Sequence, residues 1–315
     1  MYQVPSLFIE RYRALLEGEF DEFMECLVRP ARRGVRINTL KVLDVDSLLE
    51  SVRGYGWDLT RVPWYRYGYW IDGECNITPG NTVEGFLGLL YGQDPSSMIP
   101  PLVMDLHPDE SLKILDMCAS PGSKTSMIAE LVKNRGVVVA NELKPSRIKP
   151  LVNNLRKLGV LNTVVINRNG IYLPRIFGKE TFDRVLVDAP CSGEGLIRYN
   201  WNVLKGWNIA KVRHYSRIQK QLLMAGVSLL KPDGVLVYST CTFAPEENEE
   251  VIDYVISKRE DVIIEEITLD GLRFHRGIEE WNGRVYSDEL RKTVRVFPHD
   301  NDSEGFFIAK LRKVV

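Results

Sequence analysis

Two cysteines in this chain stand just past short apolar runs. Cys241 lies in YSTCTF (238–243) after GVLVY, and Cys191 lies in DAPCSGEG (188–195) after FDRVLV. A free cysteine is commonly a small apolar filler. A thiolate is also a strong nucleophile, and DAPC places a carboxylate, Asp188, close to Cys191. A third stretch, LDMCASPGSKT (115–125), adds Lys124 and a turn of small residues. Two thiols, a carboxylate, an ammonium group and a turn able to approach a ligand are the parts of a group-transfer site with covalent activation. They work only if the fold brings them to one place.

The elements that would do so alternate regularly after residue 92. KILDMC (113–118) reads as a strand, SKTSMIAELVKN (123–134) as a helix, and GVVVANEL (136–143) as a second strand. A helix over 146–159, ended by Gly159, leads to a third strand at 163–169 and a fourth, FDRVLVDAP, at 182–190. Ile209, Val212, Tyr215, Ile218, Leu222, Ala225 and Leu229 step by threes and fours, which marks one face of a helix over 208–230. KPDG then reads as a turn, VLVYST (235–240) as a fifth strand and GFFIAKLRK (305–313) as a final antiparallel one. This alternation predicts an α/β fold with a doubly wound, mostly parallel, Rossmann-like sheet over 93–315. Residues 1–92, with short elements and dense aromatics, predict a smaller α+β domain. In such a sheet ligands bind beyond the carboxyl ends of the strands. DMCASPGSKT, Glu142, Asn169, DAPCSG and STC all fall at that edge.

The turn after the first strand narrows the cofactor. A P-loop, G-x-x-x-x-G-K-[ST], is matched by Lys124 and Thr125, but Cys118 and Ser123 occupy both glycine positions. A dinucleotide fingerprint needs three glycines where only Gly122 is found. A ligand with a ribose and no phosphate remains. Glu142, 20 residues after Gly122, is placed to accept from ribose hydroxyls. S-adenosylmethionine combines adenosine with no phosphate.

At this point the chain resembles the Sun (Nol/Nop/Sun) family of RNA cytosine-5 methyltransferases. The matching stretches are QDPSSM (93–98), LDMCASPGSKT, NELKPSR (141–147), FDRVLVDAPCSGEGLIR (182–198), LLKPDGVLVYSTCTFAPEENE (229–249) and EGFFIAKL (304–311). The resemblance implies that Cys241 attacks cytosine, Cys191 assists product release, Asp188 contacts the base near ring nitrogen 3, and Lys124 orients Asp188. It implies a cofactor site made by Cys118, Ala119, Ser120, Pro121, Gly122, Ser123, Lys124, Glu142, Arg147, Asn169 and Asp188. Two positions depart from the family pattern. Asn169 stands at a usual aspartate that contacts adenine, and Ser123 at a usual second glycine. The competing readings, a nicotinamide oxidoreductase and an inactive RNA-binding scaffold, leave the paired cysteines unexplained.

RPARRGVR holds Arg29, Arg32, Arg33 and Arg36, and RVPWYRYGYW (61–70) interleaves Arg61 and Arg66 with Trp64, Tyr65, Tyr67, Tyr69 and Trp70. Basic and aromatic residues together suit a nucleic-acid path with base stacking, and equally a solvated charged face beside a strand that buries half of these aromatics. RNA in particular, tRNA or rRNA, is implied by the resemblance. The overall charge of −1 gives no such hint, and no apolar run is long enough to span a bilayer. A monomeric, cytoplasmic protein without a membrane partner is expected. Cys26, Cys75, Cys118, Cys191 and Cys241 form no C-x-x-C pair, so neither a disulfide framework nor a zinc site is expected. His107, His214, His275 and His299 are scattered and read as surface or core residues, so no metal is expected.

Overall fold

The computed structural model describes residues 4–73 and 77–314. Cys75 lies outside the described residues; the other four cysteines are free. Among the described residues no helix is long and apolar enough to cross a membrane.

Strands Arg33–Ile37 (β1), Asp58–Arg61 (β2), Gly68–Asp72 (β3) and Leu90–Gly92 (β4) form an antiparallel sheet in the order β2-β3-β1-β4. The helix Val45–Arg53 covers one side, burying Leu48 and Val52 against Val35, Ile37 and Trp57. Asp44 caps that helix by accepting from the Ser47 backbone N–H.

The larger sheet is built on Lys113–Asp116 (β5), Val137–Asn141 (β6), Thr163–Ile166 (β7), Phe182–Asp188 (β8) and Leu230–Thr240 (β9). These five are parallel, in the order β7-β6-β5-β8-β9. The order reverses between β5 and β8, and this switch point is where a doubly wound sheet opens a crevice. Beyond β9 the sheet turns antiparallel. Val262–Glu265 (β10), His275–Arg276 (β11), Val294–Val296 (β14) and Phe306–Lys313 (β15) extend it, while Glu280–Trp281 (β12) and Arg284–Val285 (β13) form a separate hairpin.

Val185, Leu186 and Val187 are fully buried because β8 has a strand on either side and helices on both faces. The 21-residue helix Ile209–Leu229 packs Val212, Leu222, Ala225 and Leu229 inward, with its start capped by Asn208 on the Lys211 N–H. One sequence expectation shifts. KPDG is not a turn ahead of the fifth strand but an irregularity within it. Phe182 pairs with Leu230, the register slips, and pairing resumes at Arg184 with Val235.

The first two helices, Ser6–Leu16 and Phe20–Val28, do not pack on the small sheet. Phe8, Tyr12 and Phe23 join Ile197, Trp207, Phe243 and Phe297 in one aromatic core, and Arg11 forms a bidentate pair with Glu246 at 3.0 and 2.7 Å. They form a wall of the larger unit.

Candidate active site

The turn after β5 is held from three sides. The Asn141 side chain donates to the Met117 carbonyl, and the Ala119 N–H donates to the Asn141 carbonyl. Ser120 donates to the Arg147 carbonyl while the Arg147 guanidinium donates back to the Ser120 carbonyl, and Asn154 donates to the carbonyl of Pro121. Gly122 has φ +104°, and a Cβ there would meet Leu151 at 3.0 Å, so both conformation and space select glycine. Ser123 opens the helix Ser123–Leu131 directly after it. Asp116, at the end of β5, accepts from Thr125 at 2.7 Å; burial pushes its carboxyl up to about 7. Burial also pushes the Cys118 thiol well up, with Asp116 adding to the effect, so this cysteine stays protonated and contributes packing.

Glu142 follows β6. It is buried, accepts from the Lys144 N–H at 2.7 Å, and has the Arg147 guanidinium at 3.7 Å from its other oxygen. Asn169 follows β7, and its carbonyl oxygen caps the turn Gly170–Tyr172 by accepting from the Ile171 N–H at 3.1 Å. The turn, Glu142 and Asn169 thus line adjacent strand ends on one edge. A buried carboxylate at a strand end beside this turn suits an adenosine-type ligand whose free ribose hydroxyls donate.

At the ends of β8 and β9 the reactive groups meet. The buried Lys124 ammonium lies 2.8 Å from Asp188 Oδ2 and donates to Ser97 at 3.0 Å, with the Phe306 ring centroid 4.9 Å away. Ser239, paired with Asp188 across the strands, donates to Asp188 Oδ1 at 2.8 Å. Burial works to lower the lysine pKa, but the Asp188 charge and hydrogen bond outweigh it, and the lysine stays cationic. The sulfur atoms of Cys191 and Cys241 stand 3.2 Å apart. The Cys191 thiol is pushed well above its ordinary range, first by its hydrogen bond to Cys241 and then by burial. Either sulfur can be the donor of this contact.

The loop that carries Cys191 is anchored by buried carboxyls. Glu247 accepts from the Ser192 N–H at 3.0 Å and from Gln219 at 2.8 Å; burial, with Glu194 nearby, pushes it up to about 8. Glu194 accepts from Tyr12, Trp207, Thr242 and the Phe243 N–H. The Gly195 N–H donates to the Cys241 carbonyl at 2.9 Å, and the Gly305 N–H donates to the Gly195 carbonyl at 3.2 Å. A Cβ on Gly195 would lie 2.2 Å from the Gly305 oxygen, so only glycine permits this approach.

That ladder brings in two residues that sequence reasoning assigned no role. Glu304 adjoins Gly305, and its carboxyl is pushed well above the usual range by burial and then by Asp94 and Cys241. The Asp94 carboxylate accepts from the Glu304 N–H at 3.1 Å and from Tyr199 at 2.8 Å. Their signal was present in QDPSSM and EGFF, but nothing in spacing alone joins residue 94 to residue 304.

The proposed nucleic-acid residues fare differently. Arg36 is 1% exposed and is held by Glu130, Ser126 and Gln93 inside the protein, so it is not on an RNA path. Arg32 forms a bidentate pair with Asp72 at 2.8 and 2.6 Å and stacks on Trp70. Trp64, Tyr65, Tyr69 and Trp70 are buried core, and Tyr67 packs partly against it. These aromatics are packing, not a stacking platform. Arg29, Arg61 and Arg66 are exposed.

Comparison with known proteins shows the relatives of this chain. Residues 103–312 match a family model described as 16S rRNA methyltransferase RsmB/F, and residues 4–95 match the N-terminal domain of 16S rRNA methyltransferase RsmF. A curated relative, the tRNA (cytosine(49)-C(5))-methyltransferase of Pyrococcus abyssi, is 45% identical over 99% of this chain and 97% of its own length. The ribosomal RNA small subunit methyltransferase F of Vibrio parahaemolyticus is 39% identical over 98% of this chain, which spans 63% of that protein. A solved methyltransferase homolog from Pyrococcus horikoshii superposes with a TM-score of 0.86 and 33% identity over 98% of this chain and 95% of that one.

Proposed function

We propose the following mechanism for this chain, which belongs to the Sun family of RNA cytosine-5 methyltransferases, the family described as 16S rRNA methyltransferase RsmB/F. It forms 5-methylcytosine in RNA through a covalent cysteine–cytosine adduct. The observation that carries this reading is the junction of β8 and β9, where Lys124–Asp188 at 2.8 Å adjoins Cys191–Cys241 at 3.2 Å.

Carbon 5 of cytosine is a weak nucleophile. The Cys241 sulfur forms a bond to carbon 6, and the displaced π electrons make carbon 5 electron-rich. The proton that Cys241 gives up as its sulfur attacks passes to ring nitrogen 3, where Asp188, fixed by Lys124 and Ser239, accepts a hydrogen bond from it. S-adenosylmethionine, when bound, supplies the electrophilic methyl group. Glu142 would accept from its ribose hydroxyls, and the 118–123 turn, Asn169 and Arg147 would hold the rest of it at the same strand edge. Once carbon 5 carries the methyl group, a water molecule acting as base takes its proton. The electrons of that C–H bond restore the ring double bond, and the bond from carbon 6 to sulfur breaks. Cys191, its sulfur 3.2 Å from that of Cys241, is placed to donate a hydrogen bond to the departing thiolate.

The substrate we propose is tRNA, supported by the 45% identity to the tRNA enzyme along nearly the whole of both chains. The rRNA relatives favour 16S rRNA as a second reading. Bisulfite sequencing of cellular RNA with and without the gene tests both. Loss of a methylated cytidine in tRNA supports the first reading, and loss in 16S rRNA supports the second. An unchanged RNA profile contradicts the function.

A further inference from the structure

Far from the reactive cysteines, four side chains that lie far apart in sequence converge. His275 Nε2 is 3.0 Å from Asp300 Oδ1 and 3.4 Å from Glu19 Oε2. His299 Nε2 is 3.0 Å from the same Glu19 oxygen. One ligand atom from each of the four residues can be chosen so that all lie within 4.8 Å of one another. We propose that Glu19, His275, His299 and Asp300 form a binding site for a divalent transition-metal ion of the zinc class.

The spacing fits. In a tetrahedral zinc site, with bonds of about 2.0–2.1 Å, neighbouring ligand atoms stand about 3.3 Å apart. Three of the ligand-atom pairs here are 3.0, 3.0 and 3.4 Å apart. The charge fits as well. Two carboxylates face two imidazoles, and among the described residues neither Glu19 nor Asp300 has a lysine or arginine ion-pair partner. A divalent cation neutralises both. Two nitrogen and two oxygen ligands favour zinc, cobalt or nickel over calcium or magnesium, which prefer all-oxygen shells.

The rings are also held in place before any ion arrives. His299, its side chain 4% exposed, lies nearly parallel to Phe297 with 5.8 Å between centroids, and Phe23 meets it edge-on. Its Nδ1 is buried without a partner, so all its polar contacts lie within the cluster. His275 meets Phe297 edge-on at 5.1 Å. The Asp300 Oδ2 atom accepts from the Phe297 N–H at 2.7 Å, which leaves Oδ1 directed at the cluster. A cavity of about 230 Å³ reaches Glu19 and His275 and is bordered also by Leu16, Glu17, Arg276 and Arg295.

The site spans the turn between the first two helices, β11 and the helix Pro298–Asn301. An ion there ties the N-terminal helices to the larger unit. It also braces Phe297, which stacks on Phe243, two residues past Cys241. Glu19 and His299 are 280 residues apart, which is why no local ligand spacing betrays them.

Cobalt titration of the full chain after chelator treatment tests the proposal. The expected result is one Co²⁺ per chain with visible d–d bands, displaced by Zn²⁺, and a zinc-dependent rise in melting temperature. His299→Ala should abolish the bands. Glu19→Gln, at a half-exposed turn position where the fold tolerates the change, should weaken cobalt binding about tenfold or more. Absence of bands in the parent protein, or bands and affinity unchanged in Glu19→Gln and His299→Ala, overturns the site.

Discussion

The ammonium nitrogen of Lys124 lies 2.8 Å from Asp188 Oδ2, and the lysine belongs to the helix after β5 while the aspartate ends β8. The pair joins the helix after β5 to the end of β8 across the switch point of the sheet, where the proposed mechanism places cofactor and base. Lys124→Met leaves the apolar stem and removes the charge. Asp188 then loses its orienting partner, and single-turnover methylation should slow by about 100-fold or more. A rate within a few-fold of the parent would mean that Asp188 needs no cation beside it.

Glu142 is buried and offers its carboxylate at the end of β6. Hydrogen bonds to a charged group contribute about 1.5–3 kcal/mol, so Glu142→Gln should weaken S-adenosylmethionine binding by roughly tenfold to a hundredfold. Calorimetry on the two proteins measures this. Equal affinities would place the ribose elsewhere.

Arg36 was expected on the RNA path and lies in the core instead. Removing it strands the Glu130 carboxylate, and breaking a buried pair in this way costs about 3–5 kcal/mol. Arg36→Ala should therefore lower the denaturation midpoint strongly and destabilise the protein before RNA affinity is affected. A stable variant with weakened RNA binding would restore the original reading.

The Glu247 carboxyl is pushed from 4.5 to about 8 by burial, then by Glu194. The folded state thus holds this proton more tightly than the unfolded chain. The stability it contributes is fully present below pH 4.5 and is lost as pH rises through about 8. Asp116, pushed up to about 7, acts in the same direction. Glu247→Gln keeps an acceptor for the Ser192 N–H and removes the titration. Urea denaturation between pH 5 and 8.5 should show a shallower loss of stability in the variant; parallel curves would show that Glu247 is ionised throughout.

These outcomes trace which features the sequence could carry. The parallel strands were legible because each is a short apolar run followed by a turn, and their carboxyl ends collect the reactive groups wherever the helices cross. Asp188, Cys191 and Cys241 sit at or just past such ends, and Lys124 reaches Asp188 from the helix after β5. Arg36 and the aromatics of 61–70 misled because composition does not distinguish a basic surface from a buried ion pair, or a stacking face from a core: Trp64 and Trp70 pack against each other edge to face at 5.6 Å. Glu304 and Asp94 escaped because their meeting depends on an antiparallel strand closing beside β9. The KPDG irregularity was read as a turn because proline, aspartate and glycine serve either structure.

The central claim is the division of labour between Cys241 and Cys191, and the two alanine variants test it most directly on a tRNA substrate under denaturing electrophoresis. Cys241→Ala should form no protein–RNA band and transfer no methyl group. Cys191→Ala should attack and methylate, then stall, leaving a band that survives denaturation and carries labelled methyl from S-adenosylmethionine. The reverse pattern, with the stalled band in Cys241→Ala and none in Cys191→Ala, would make Cys191 the nucleophile and contradict the account. Full activity in both would reduce the 3.2 Å sulfur contact to packing.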